Sequence, residues 1–509
     1  MKIHLLIFLF VIFQFASCRN SQNEKPNILL ILVDDMGWSD IGCYGSEVAT
    51  PNLDRLAENG IRFTQMHNTS KCFPSRAILQ TGIYAQQNGY DKSYKQPLAN
   101  CVTLGEVLHT AGYRTLWSGK HHGVETPVDR GYDRYYGLRE GASNHFNPGM
   151  QREGEPKPAQ KRPDRPFFVD HEKFQPYSPP IDFYTTDYFT KYALEWLEEY
   201  KDEDKPFFLH MGYTAPHDPL MAWPKDIAKY KGTYLKGYND IRAKRYAKQK
   251  EIGLINQRFM LSEETYDPWE SLSDSMKIVE DLKMAVYSAM IDRMDQKVGE
   301  ILAKIESMGK LENTLVLFMS DNGSSAEVVR IPGDGKIGAV GQWTSLGKNW
   351  ANVSNTPYRY YKNYSFEGGI CTPMIAYWPK GFEAKNAISH FPGHFIDIMA
   401  TLVDITGADY PTEYNGQKII PMQGVSLLPI LKGDVIQREK PLFWQWQRGK
   451  AVREGQWKIV VNGLDSEWEL YNVDEDPTET NNLAAIHPEI VERMDGLYTS
   501  WLEENRKWN

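Results

Sequence analysis

Cysteine is scarce in these 509 residues: there are five, an odd number at irregular spacings, so no disulfide framework can be read from them. Positive charge is also in deficit, with 57 Lys and Arg against 66 Asp and Glu, a net charge of −9. That balance argues against a nucleic-acid binder, whose surface must neutralise phosphates. The chain has no internal repeats or low-complexity tracts, and its opening apolar run, Leu5 to Ala16, is too short to span a bilayer. With Lys2 before it and Ser17-Cys18 after it, the run reads as an export signal over residues 1–17. Phe15-Ala16-Ser17-Cys18 is similar to a bacterial lipobox, so Cys18 is expected to carry a lipid that holds the mature protein at a periplasmic or cell-surface membrane. An ordinary signal peptide with an incidental cysteine is the alternative.

A composition of 41% hydrophobic and 13% aromatic residues supports a large core, in a chain about three typical domains long. Asn27 to Val33 is a continuous aliphatic run that suits a strand buried on both faces, and it stops at Asp34-Asp35. The design recurs in Thr314–Met319 before Asp321-Asn322, in Pro206–Leu209 before Pro216-His217-Asp218, and in Tyr113–Trp117 before Lys120-His121-His122. Helical patterns separate these strands: Pro51–Asn59, a capping box at Thr103-x-x-Glu106, and a long helix from about Ser273 to Gly309. Alternation of this kind predicts an α/β fold with a mainly parallel sheet between helices, whose ligands bind beyond the carboxyl ends of the strands. From about residue 420 short aromatic strands (442–447, 456–461, 468–472) and a final helix (488–508) predict a smaller α+β subdomain over 420–509, after a catalytic α/β domain over 25–415.

Asp34, Asp35, Asp321 and Asn322 offer oxygen ligands at two predicted strand ends, which suits a hard divalent cation, Ca²⁺ or Mg²⁺, better than zinc. The informative segment is Cys72-Phe-Pro-Ser-Arg-Ala-Ile-Leu-Gln-Thr81-Gly82. It fits C-x-P-S-R-x-x-x-x-T-G at six fixed positions, a coincidence expected on the order of 10⁻⁵ times per chain from average residue usage. From about Lys25 to its end, the chain therefore resembles the formylglycine-dependent sulfatases, and in texture the arylsulfatase A-like bacterial members.

The resemblance implies an alkaline-phosphatase-like fold and a sulfuric ester hydrolase. It implies that Cys72 is oxidised to formylglycine by a maturation enzyme and that its hydrate is the nucleophile. One hydroxyl of that gem-diol attacks sulfur, and deprotonation of the other expels sulfate. Asp34, Asp35, Asp321 and Asn322, with the modified Cys72, correspond to the ligands of the calcium or magnesium ion. Arg76 corresponds to an orienting arginine. Gly119-Lys120-His121-His122 matches G-K-x-H, with Lys120 as a sulfate clamp and His122 as the base that collapses the hemisulfate. Ala215-Pro216-His217 matches A-P-H, and Lys362-x-x-x-x-Glu367-Gly368-Gly369 matches K-x-x-x-x-E-G-G. His217 and Lys362 bind sulfate and are the two general-acid candidates, unranked by sequence. The expected substrate is a sulfate ester on a carbohydrate. Aryl sulfates, a phosphodiesterase or phosphonate monoester hydrolase of the same superfamily, and a vestigial binder of sulfated glycans are the rivals.

The chain departs from the family twice. Cys371 stands where many members continue G-G-x-R-x-P, so a local ion pair is in doubt, and the family's further serine has only Ser143 as a weak counterpart. Separately, residues 225–258 carry ten Lys and Arg against three acids, interleaved with Tyr230, Tyr234 and Tyr238 and preceded by Trp223. They read either as a solvated insertion packed by its tyrosines or as a face that stacks sugars and meets sulfates.

Overall fold

The computed structural model describes residues 24–508 apart from 334, 448 and 464–465. The expected signal segment and Cys18 lie outside them. One sheet is built from β1 Asn27–Asp34, β2 Ile61–His67, β3 Arg114–Gly119, β4 Arg134–Leu138, β5 Phe167–Val169, β6 Glu172–Phe174, β7 Phe207–Pro216, β8 Thr314–Ser320, β9 Cys371–Tyr377, β10 Ala387–Ser389 and β11 Gly393–His394. Its order is β10-β2-β9-β8-β1-β7-β3-β4-β5-β6, with β11 beside β2. The central strands β8, β1, β7, β3 and β4 are parallel, while β9 and the β5–β6 ribbon join antiparallel.

The unbroken apolar run of β1 follows from its position. Leu29, Ile31 and Val33 enter one hydrophobic core and Ile28, Leu30 and Leu32 enter the other, because alternate side chains leave opposite faces of a strand covered on both sides. On the first face pack helices Pro51–Glu58 and Thr185–Glu199 and the long helix Asp274–Ser307, whose N-terminus is capped by the Ser273 hydroxyl. The second face carries helices Cys72–Thr81, Leu104–Thr110 and Ile396–Thr406. The capping box is present: the Glu106 carboxylate accepts the Thr103 N–H at 2.8 Å and the Thr103 hydroxyl accepts the Glu106 N–H at 3.2 Å, an arrangement worth about 1 kcal/mol.

Four antiparallel strands, Leu442–Trp446, Gly449–Glu454, Trp457–Asn462 and Glu469–Asn472, form a second sheet with helix Pro488–Arg506. Its Trp444, Val452, Ile459 and Trp501 share the second core with the main sheet, so this subdomain is welded on.

Two expectations change. The strand read as Pro206–Leu209 runs ten residues as β7, through His210 and Thr214, so Pro216 ends the strand and His217 follows directly. The sugar-stacking reading of residues 225–258 is overturned: Tyr230, Tyr234 and Tyr238 are buried, and Arg242 and Arg245 lie inside the protein. Arg245 pairs with Asp40 and Glu47 at 2.6 and 2.8 Å, and Arg242 donates to Ser262. The lysines and Arg258 remain on the solvent side of an ordinary amphipathic packing.

Candidate active site

Four neighbouring parallel strands end at one place. Asp34 is the last residue of β1 and Asp35 the next; Asp321 follows β8, Lys120 follows β3 and His217 follows β7. All five lie beyond the carboxyl edge, where the parallel topology concentrates side chains without filling core. The turn after β3 needs glycine, since Gly119 has φ +125° and a Cβ there would sit 2.0 Å from the Gly212 carbonyl of β7. Asp35 and His122 both adopt the left-handed region, at φ 63° and 69°, a strain typical of functional turns.

The site is a lattice of opposite charges. Lys120 Nζ lies 2.5 Å from Asp34 Oδ2, and Lys362 Nζ 2.8 Å from Asp35 Oδ2. Arg76 Nε donates to Asp321 Oδ2 at 2.7 Å, and its Nη1 reaches the Lys120 carbonyl. Asn322 donates to Asp35 Oδ1 at 2.6 Å, and His217 Nε2 stands 3.5 Å from Asp35 Oδ2. Sequence reasoning assigned a metal as the counter-charge of the carboxylates; three side-chain cations already hold them. A dication bound to these carboxylates would leave Lys120, Lys362 and Arg76 with positive charge to offer an anionic substrate.

The residues fit such an ion. Asp34 Oδ1 and Asn322 Oδ1 are buried oxygens without a hydrogen-bond partner among the described residues, and Asp34, Asp35 and His217 place donor atoms within 4.8 Å of one another. Two buried oxygens free of hydrogen bonds in a hard-donor set are what a divalent cation takes up.

Cys72 is a free, buried cysteine at the first position of its helix. The rest of the motif builds that helix. The Ser75 hydroxyl receives the Thr69 N–H at 3.0 Å and fixes the entry turn, Thr81 bonds back to the Ala77 carbonyl, and Gly82 ends the helix at φ 68°. Arg76, one turn on from Cys72, aims at Asp321.

Electrostatics divides the two histidines. Burial, then Lys120 and Arg76, drives His122 well below its ordinary range, so it is a neutral imidazole. Burial would do the same to His217, but the Asp35 and Asp34 carboxylates push it up to about 10, which makes it an imidazolium at neutral pH. Burial and Asp34 lift Asp321 to about 6, whereas Lys362 holds Asp35 well below the usual carboxylate range against burial.

All the expected residues, Asp34, Asp35, Cys72, Arg76, Lys120, His122, His217, Asp321, Asn322 and Lys362, are thus placed on this one edge of the sheet. Sequence reasoning missed His145, whose Nε2 meets the His217 carbonyl at 3.0 Å while its Nδ1 meets Thr185, fixing the turn that carries His217. Ser143, two residues before it, is buried with an unpartnered hydroxyl.

A second metal-shaped group, His67, Glu367 and Cys371, behaves differently. Glu367 is filled: Oε2 meets His67 Nε2 at 2.9 Å and Oε1 meets Lys458 Nζ at 2.6 Å. Lys458 also pairs with Glu479 at 2.7 Å, and the Cys371 thiol donates to the Thr64 carbonyl. The ion pair left in doubt by Cys371 is therefore made by a lysine of the C-terminal sheet.

A family model described as Sulfatase matches residues 26–408, and one described as N-sulphoglucosamine sulphohydrolase, C-terminal, matches 358–498. The arylsulfatase of Klebsiella aerogenes is 32% identical over 446 residues, 81% of this chain and 93% of its own length. The N-acetylglucosamine-6-O-sulfatase of Bacteroides thetaiotaomicron is 25% identical over 92% of this chain and 85% of its own. The crystal structure of Ps i-CgsB in complex with k-i-k-neocarrahexaose superposes with a TM-score of 0.70 at 24% identity, over 94% of this chain and 93% of that one. The alkaline-phosphatase-like arrangement expected from the resemblance is the fold observed.

Proposed function

This chain belongs to the sulfatase family and is a sulfuric ester hydrolase, and we propose that it removes sulfate from sulfated carbohydrate using formylglycine made from Cys72 and one divalent cation. The observation that carries the reading is the convergence of Asp34, Asp35, Asp321 and Asn322 with Arg76, Lys120, His217 and Lys362 at four strand ends, where Arg76 ties Asp321 to the helix that begins with Cys72. The similarity to an N-acetylglucosamine-6-O-sulfatase supports a sugar as the alcohol.

An ion held by Asp34, Asp35, Asp321 and Asn322 would supply Lewis-acid polarisation of the sulfate and a lower pKa at the nucleophile. The chain's own groups do the rest. Lys120 and Lys362 hold the sulfate by charge, and Arg76 orients residue 72 and Asp321 with its fork. His217, an imidazolium at neutral pH, gives its proton to the departing sugar oxygen. Lys362, whose ammonium Asp35 raises well above its ordinary range against burial, is the second group placed to donate that proton. His122, neutral, takes a proton from the remaining hydroxyl at residue 72, and sulfate leaves as the aldehyde reforms. Export, a lipid at Cys18 and a partner maturation enzyme belong to the same proposal.

The test incubates protein from a maturation-competent host, with calcium, against sulfated mono-, oligo- and polysaccharides, aryl sulfates and phosphate esters, with Cys72→Ala as the blank. Released sulfate and phosphate are quantified by ion chromatography, and peptide mass reports the aldehyde at residue 72. Sulfate from a saccharide, absent in Cys72→Ala, is the expected result. Full activity in that variant, or release of phosphate alone, overturns the reading.

A further inference from the structure

Between β4 and β5 the chain makes a long excursion, residues 139–166, that runs along the mouth of the site. At its start the Arg139 carbonyl receives the His122 N–H at 2.8 Å, and Gly141 lies flat on the His122 ring, where a Cβ would come within 2.8 Å of Nε2. Four residues on, His145 holds the His217 carbonyl. The excursion therefore touches both catalytic histidines before it returns as Arg162 and Arg165.

Those two arginines close back on its beginning. Glu140, nearly buried, accepts Arg162 through both carboxylate oxygens and Arg165 Nη1 at 2.7 Å, while Arg139 lies 4.0 Å away over the Phe168 ring. Asp164, exposed, stands 3.6 Å from Arg162. Three guanidiniums thus share one enclosed and one solvated carboxylate, which leaves positive charge in excess. Their side chains remain 27, 47 and 17% exposed for Arg139, Arg162 and Arg165. Glu140 restrains the planar forks, and their remaining N–H groups are available to an anion. The patch borders the sulfate site through Tyr94, whose ring meets His122 edge-on at 4.7 Å and whose hydroxyl lies within electrostatic range of Glu140, Arg165, Arg162 and Lys120.

We propose that Arg139, Arg162 and Arg165, gathered by Glu140 beside His122, form a second anion subsite that takes another acidic group, a sulfate or a carboxylate, on the alcohol portion of the substrate. The proposal rests on the sulfatase reading and narrows its substrate class to glycans bearing at least two acidic groups. The Glu140 carboxylate is enclosed, whereas Arg139 and Arg162 keep 27 and 47% of their side-chain surface exposed to an incoming anion.

The test is calorimetric and needs no turnover. Methyl sulfate serves as the single anion, sucrose octasulfate presents sulfate pairs at many spacings, and trigalacturonate presents carboxylates alone. The wild-type protein, Arg162→Ala, Arg165→Gln and the distant surface control Lys236→Ala are titrated at one fixed salt concentration. Arg162 and Arg165 are both partly exposed, so the variants should fold, and thermal midpoints check this. Expected is a loss of at least about tenfold in octasulfate affinity in both arginine variants. Methyl sulfate affinity should stay within about twofold, and Lys236→Ala should match wild type. Parallel loss of trigalacturonate binding assigns the subsite to carboxylates as well, and its retention assigns it to sulfate. Octasulfate affinity unmoved by the arginine changes, or lowered equally by Lys236→Ala, overturns the subsite. Sulfate-ester turnover is measured separately: its absence beside arginine-dependent binding sinks the hydrolase reading alone.

Discussion

Two buried charge clusters lie five residues apart in the chain, one at Lys362 and one at Glu367, and they differ in how they end. Around Glu367 each charged group is closely paired: His67 and Lys458 take its two oxygens, and its N–H meets Glu479 at 2.8 Å. Glu479 Oε1, without a hydrogen bond, lies 2.7 Å from Lys458, whereas Asp34 Oδ1 and Arg76 Nη2 of the other cluster stand 3.8 Å apart. Around Lys362 the same residue types leave Asp34 Oδ1, Asn322 Oδ1 and Arg76 Nη2 without hydrogen-bond partners. Uncompensated buried polar atoms cost stability, so a cluster that closes is architecture and one that stays open is arranged for something that arrives later. Both groups gather the same kinds of metal-ligating side chain; satisfaction of their atoms tells them apart.

The sharpest way to break the comparison is to exchange the outcomes. Asp321→Asn preserves shape and removes one charge from the open cluster. We expect kcat/KM to fall on the order of 10⁴-fold, about 5 kcal/mol of transition-state stabilisation, with stability changed by no more than about 1 kcal/mol, because burial beside Asp34 already disfavours that carboxylate. Steady-state kinetics beside a denaturation curve decides. A variant that unfolds while retaining specific activity would make the open cluster architectural.

Lys458→Met applies the same test to the closed cluster. It strips the cation from two buried carboxylates, so we expect a stability loss of about 3–5 kcal/mol in a urea titration. Activity per folded molecule should fall far less than in Asp321→Asn, since Lys458 touches none of the reacting groups and acts only by anchoring the segment after Lys362. A large kcat loss at unchanged stability would move Lys458 into the catalytic apparatus.

These pairs also mark what was readable beforehand. Cys72, Arg76, Lys120, His122, His217 and Lys362 were legible because each sits in a short motif, and the strands that deliver Asp34 and Asp321 advertise themselves as apolar runs stopped by acids. The bond from Glu367 to Lys458 spans 91 residues and joins the turn before β9 to the C-terminal sheet, and no local pattern encodes it. The same holds for His145 under His217, a side chain chosen by a loop's path. β2 went unread because Arg62, Thr64 and Gln65 interrupt its apolar residues, although Arg62 and Thr64 are buried. In residues 225–258 composition left two readings open, and the buried tyrosines decide for the packed insertion.

A cation sharpens the contrast at smaller scale. Metal-free protein titrated with Ca²⁺ or Mg²⁺ should bind one ion per chain. At a hundredfold excess over Kd it should gain about 2.7 kcal/mol of stability. Asp34→Ala should lose that gain, and His67→Phe should keep it, because Lys458 already neutralises Glu367. Two ions per chain, or an ion lost with His67, would mean that the closed cluster is also a metal site.

The smallest effect probes tension inside the closed cluster. Burial, then the charge of Glu367 against the pull of Lys458, lifts the Glu479 carboxyl to about 7. An acid raised above its unfolded value stabilises the fold while protonated and loses that contribution as pH climbs through its folded pKa. The window is therefore pH 5 to 8. Glu367, held below its ordinary range by Lys458 and His67 against burial, contributes stability that is lost only in stronger acid. Asp321 also titrates near this window, but it is present in both proteins, so the difference between wild type and Glu479→Gln isolates Glu479. Wild type should lose on the order of 1 kcal/mol more than Glu479→Gln between pH 5 and 8, read from denaturation midpoints. Parallel curves would mean that Lys458 satisfies both carboxylates in full and that the closed cluster carries no residual repulsion.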